Sequence, residues 1–181
     1  MRVFVAIDLP DEVRSALEEL QDDLPVGRIM ASETLHLTLC FLGDQGAGAL
    51  GAVDEELRLL RGSAFDLRMA GVGTFGGRSP RVLWAGVTAS PELVALQGRV
   101  RSACVRAGVG LQRERFRPHV TLARFGQHVS AGEMERVAGF LAHHARFEAP
   151  EFRVEEVVLF ESVLHREGAE HRVLEGYPLG G

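Results

Sequence analysis

The chain contains no lysine: all 20 of its basic residues are arginine. That excludes Schiff-base chemistry, a Walker-type phosphate lysine and any ligase whose nucleophile is a lysine amine. Asparagine is missing as well, which removes a Cys-His-Asn site. There are only two cysteines, Cys40 in a strand-like stretch and Cys104 in a helix-like one. Two unpaired thiols in apolar surroundings fit a reducing compartment, so a cytoplasmic location is expected. No apolar run reaches the roughly 18 residues of a membrane span, and the opening MRVFVAIDLP is too short and too acidic at its end for a signal peptide. A net charge of −5 argues against a long electrostatic footprint on nucleic acid, though not against a local basic pocket. What is present, 46% hydrophobic and 25% charged residues in 181, is the make-up of one ordinary globular domain spanning 1–181.

Alternation and β-rich composition predict strands at 2–8, 35–42, 64–72, 81–87, 119–125 and 152–160, with a last edge strand over 171–177. Helical spacing predicts helices after Pro10, over 47–60, from Ser90 as N-cap with Pro91 at the first position to about Ala107, and over 131–145. This order of hairpin-like strands and helices is α+β. It suggests a bilobal, pseudo-duplicated fold in which two mainly antiparallel sheets form a central cleft and the helices lie outside.

The duplication is visible in two short stretches, TLHLTLCFLG (34–43) and RFRPHVTLARF (115–125). Each carries His-x-Thr-Leu. Random placement of seven histidines would give roughly 0.2 His-x-Thr pairs. Strand geometry puts His36 and Thr38 on one face and Leu35, Leu37 and Leu39 on the other; His119 and Thr121 likewise oppose Val120 and Leu122. Two imidazoles across one groove suit in-line displacement at phosphorus, one accepting a proton and one donating it. Threonine hydroxyls suit the non-bridging oxygens. Arg113, Arg115, Arg117 and Arg124 against Glu114 leave a local net charge of +3, favourable to an anionic substrate. Arg115 and Arg117 are candidate substrate contacts; Arg124 has the opposite strand parity from His119, so a cleft role requires the strand to twist or end there.

With these motifs, and with RVFVAIDLP, PRVLWAGV and VVLFESVL, the sequence resembles the 2H phosphoesterases, and within them the bacterial and archaeal RNA 2′,3′-cyclic phosphodiesterases once described as 2′-5′ RNA ligases. The resemblance implies metal-independent, cofactor-free opening of a 2′,3′-cyclic phosphate on RNA ends or nucleotides to a 2′-phosphate. It implies His36 as proton donor to the departing 3′ oxygen and His119 as the base that activates water. Thr38 and Thr121 would hold the phosphate, with Arg124 a further contact. No membrane association is expected, and no obligatory protein partner is evident in the sequence. Two departures stand out: GRIMASET lacks an aromatic that often frames the cleft, and His171 stands where relatives commonly carry tyrosine.

Other readings compete. Reversal of the same chemistry would join RNA ends, and a binding module would hold an RNA end or nucleotide without turnover. Cys40 shares His36's parity and is a conceivable nucleophile, although a buried inert thiol is the simpler reading. Phe41 could stack on a base, but it shares the leucines' parity, and core packing is the simpler reading. GVGTFGG (71–77) contains G-x-G-x-x-G but precedes a strand rather than a helix, so it reads as a turn. His143 and His144 are adjacent, a poor spacing for two ligands on one helix face, and together with His165 and His171 they read as surface residues.

Overall fold

The computed structural model describes residues 1–166 and 168–180. Strand β1 (Arg2–Asp8) leads into helix α1 (Asp11–Asp22), a short strand β2 (Arg28–Ile29), a single 3-10 turn and strand β3 (His36–Asp44). Helix α2 (Ala47–Arg58), strands β4 (Phe65–Leu67), β5 (Met69–Phe75) and β6 (Val82–Val87) and helix α3 (Pro91–Arg106) follow. Strand β7 (Val120–Arg124), helix α4 (Ala131–His143) and strands β8 (Phe152–Val154), β9 (Glu156–His165) and β10 (Gly168–Pro178) complete the chain. Among the described residues, no helix is long and apolar enough to cross a membrane.

Local chemistry explains the helix starts. The Ser90 hydroxyl accepts from the Leu93 N–H at 3.1 Å with Pro91 behind it, and Ser130 and Glu133 form a capping box. Pro10 sits just outside α1, as its N-cap, rather than within the first turn.

The strands form one antiparallel sheet in the order β10-β9-β1-β3-β7-β6-β5, with β2 on β7, and a separate two-stranded sheet of β4 and β8. The two expected sheets are therefore two halves of one. They join between β3 and β7 at a single paired position, Leu37 opposite Val120. Both residues are fully buried. Alternation along β1 sends Val3, Val5 and Ile7 into the main core with Val13 and Leu17 of α1, and sends Phe4 and Ala6 to the other face. There Phe4, Ala6, Val158 and Phe160 make a second, small apolar cluster. That cluster is the floor on which the site is built.

Candidate active site

Both His-x-Thr-Leu motifs end in a β-bulge at their leucine. Across β1 and β3, Ala6 faces Thr38 and Val5 faces Cys40, leaving Leu39 as an extra residue. Across β6 and β7, Trp84 faces Thr121 and Leu83 faces Ala123, leaving Leu122 extra. A bulge reverses the side-chain parity of everything after it. Cys40 and Ala123 therefore turn into the core, 6% and 0% exposed. Phe41 and Arg124, each five residues after its histidine, turn toward the cleft. This corrects two expectations: Phe41 is 49% exposed rather than core, and Cys40 does not share His36's face. It also supplies the irregularity that Arg124 needed. Each bulge strains the ladder locally, and a helical glutamine helps hold it: Gln97 of α3 donates to the Leu39 carbonyl at 3.3 Å and Gln21 of α1 to the Leu122 carbonyl at 3.0 Å.

The histidines are held identically. His36 Nδ1 lies 2.6 Å from the Thr34 carbonyl and His119 Nδ1 lies 2.7 Å from the Arg117 carbonyl, in each case two residues upstream. A carbonyl oxygen only accepts, so each Nδ1 carries a hydrogen and each Nε2 keeps its lone pair for the cleft. Extending the register of Leu37 with Val120 sets His36 beside Thr121 and Thr38 beside His119. All four line one cleft of about 340 Å³, together with Arg124 and Phe4. Aromatic rings orient the imidazoles: Phe4 lies 4.6 Å from His36 between centroids, and Phe75 meets His119 edge-on at 4.8 Å.

Burial lowers the pKa of both histidines. His36 falls to about 4, chiefly through desolvation, which outweighs its bond to the Thr34 carbonyl; positive charge on His171, Arg14 and His119 opposes its protonation further. His119 is lowered by the same desolvation, against the opposing bond to Arg117, with Arg124 adding repulsion. Such a histidine stabilises the fold above its unfolded pKa near 6.5, and that contribution is lost as pH falls toward about 4, because the unfolded chain binds the proton first. Discounted for the open cleft, His36 contributes about 2 kcal/mol to this acid sensitivity. Denaturant titrations at pH 7 and pH 4.5 are expected to show His36→Gln losing about that much less stability than the wild type over the same interval. An equal loss in both would remove the desolvated histidine from the account.

The structure brings some predicted residues together and separates others. Arg115 and Arg117 line a neighbouring hollow of about 690 Å³, which shares Thr38, Phe41 and His119 with the cleft. Arg117 reaches over the Phe75 ring at 5.8 Å. Arg2 joins the cleft unforeseen, its guanidinium 4.9 Å above Phe41. His171 is the larger surprise. Expected at the surface, it is partly buried on β10 with its ring edge-on to His36 at 4.9 Å and 4.9 Å from Phe4. Its pKa too is lowered by burial. The one signal in the sequence that pointed to it was its departure from tyrosine at that position, since strand parity alone does not say which neighbour an edge strand faces. GVGTFGG is likewise mostly strand: β5 runs to Phe75 and the turn begins at Gly76. Gly73 is required there, because a Cβ would come within 2.4 Å of the Trp84 ring lying over it.

A groove lined by paired His-x-Thr strands in a central antiparallel sheet defines the 2H phosphoesterase class. The description "2′-5′ RNA ligase superfamily" matches residues 3–166, and the chain belongs to that family. It is 31% identical over 185 residues to an RNA 2′,3′-cyclic phosphodiesterase of Geobacillus stearothermophilus, covering 98% of this chain but only 57% of that protein's length. It is 30% identical to the RNA 2′,3′-cyclic phosphodiesterase of Archaeoglobus fulgidus, covering 96% of this chain and 98% of that one. Among solved structures, apo LigT of Escherichia coli superposes with a TM-score of 0.80 at 28% identity, covering 99% of this chain and 98% of the other.

Proposed function

We propose that this protein is a metal-independent, cofactor-free RNA 2′,3′-cyclic phosphodiesterase, working as a single domain of two pseudo-symmetric lobes. The observation that carries the reading is the matched anchoring of His36 and His119, each with Nδ1 on a backbone carbonyl and Nε2 left for the same cleft. Neutral His119 takes a proton from water as its oxygen bonds to phosphorus. The P–O3′ bond breaks on the opposite side, and His36 gives its proton to O3′, leaving a 2′-phosphate. Thr38 and Thr121 hold the non-bridging oxygens, and Arg124 offsets the gathering negative charge. Once protonated, His36 is a ready proton donor, since burial makes it hold its proton less firmly than an ordinary imidazole. The negative charge of a bound substrate stabilises the His36 imidazolium against this burial. The buried free thiols, Cys40 and Cys104, support work in a reducing, cytoplasmic setting.

The reading predicts a bell-shaped pH dependence. Because both free-protein pKa values are lowered, the kcat/KM bell is expected to centre below pH 6.5, with an alkaline limb that moves upward in kcat when bound phosphate favours the imidazolium. Turnover of a 2′,3′-cyclic nucleotide in excess chelator, followed across pH 4–9, checks both points. Activity that stops on chelation, or a rate rising steadily with pH, would sink the proposal.

A second reading, reversible 2′-5′ joining of RNA ends, is favoured by one observation. The 690 Å³ hollow opens on the His119 side, where the attacking oxygen enters, and carries Phe41, Phe75, Arg115 and Arg117 as ring and phosphate contacts. Incubation of a cyclic end with a high concentration of 5′-hydroxyl acceptor separates joining from hydrolysis.

A further inference from the structure

Away from the cleft, the C-terminal ends of α1 and α4 meet, and three metal-ligating side chains meet with them. We propose that Asp23, His143 and His144 form a binding site for a first-row divalent cation of zinc's type, tying α1 to α4. Their ligand atoms all lie within 4.8 Å of one another. One pair, His144 Nε2 and Asp23 Oδ2, is 3.1 Å apart. Bonds of about 2.0–2.1 Å in a tetrahedron put ligand atoms roughly 3.3–3.4 Å apart, so this edge is nearly formed. Two imidazoles and one carboxylate are a donor set that zinc accepts, with water completing the shell.

The three residues divide the work. His144 is the fixed member: its side chain is 17% exposed and its ring packs 4.6 Å from that of Phe140. Asp23 and His143 are exposed and free to swing the remaining distance. Adjacency of the two histidines would forbid a shared site within a helix. Here α4 ends at His143, and His144 leaves the helix with φ −100° and ψ 16°, so the rings cross at 87° with centroids 4.7 Å apart. The two rings therefore do not share one helix face, and the poor spacing expected of neighbours on such a face does not govern this pair. A second, independent feature favours a cation. Asp23 caps α1 and His144 caps α4, so the negative poles of two helices meet at one spot. The simpler arrangement, an ion pair of His144 with Asp23, needs only two of the three residues. The role of His143 is what distinguishes the two.

Calorimetric titration with Zn²⁺, and Co²⁺ as a visible-absorption probe of tetrahedral geometry, tests the site on the full chain. The wild type is expected to bind one ion, with a rise in thermal midpoint, and His143→Ala and Asp23→Asn are each expected to weaken binding at least tenfold. Both positions are exposed, so these variants should fold normally, and neither should change turnover of a cyclic nucleotide in chelator. Absence of one-to-one binding overturns the proposal. So does binding indifferent to His143→Ala, or binding abolished by replacing His36 and His119, which would assign the ion to the cleft. The outcome is independent of the proposed catalysis, because none of the three residues lines that cleft.

Discussion

His119→Ala is expected to lower kcat on a 2′,3′-cyclic nucleotide by about 10²–10⁴-fold, the usual contribution of a positioned general base. KM should change little, because Thr38, Thr121 and Arg124 still line the cleft. His36→Ala should cost a similar factor. The double variant should be little worse than either single one if, as proposed, acid and base serve one displacement. The two single variants should also lose opposite limbs of the pH bell. Steady-state kinetics across pH checks each statement. Near-normal turnover in either variant would leave its imidazole without a chemical role.

Leu37→Ala is expected to destabilise the fold by about 3 kcal/mol, within the range for a buried leucine, and to lower the melting midpoint by about 6–12 °C for a chain this size. Leu37 touches no substrate. It forms, with Val120, the one pairing through which the two half-sheets join, and it sits between His36 and Thr38 in the strand. The cavity should therefore loosen the opposition of the two histidines, so that kcat falls more than KM rises, at a temperature where the variant is fully folded. Thermal melts and kinetics on the same preparation check this. A destabilised variant with wild-type kcat would show that the junction does not position the site.

Much of this site was legible in the letters. His36, Thr38, His119 and Thr121 were found because alternation is local: a residue's face follows from its neighbours in the strand. The helix start at Ser90 was legible for the same reason, since capping is a matter of three or four residues. What alternation misjudged lies beyond the bulges. A single inserted residue at Leu39 and at Leu122 reverses the faces downstream, and nothing in LTLCFL or VTLARF marks it locally. Its supports, Gln97 and Gln21, are 58 and 101 residues away. His171 and Arg2 were missed for a related reason. Their place in the cleft follows from β10 lying beyond β9, and β1 between β9 and β3, an order that tertiary packing decides.

The arrangement of two imidazoles about one phosphorus is tested most directly by the structure of the protein with a nucleoside vanadate, a mimic of the five-coordinate transition state. The account predicts His36 Nε2 and His119 Nε2 each about 3 Å from a different apical oxygen, on opposite sides of vanadium, with both threonine hydroxyls on equatorial oxygens. Vanadium bound in the neighbouring hollow, or within reach of only one imidazole, would contradict it.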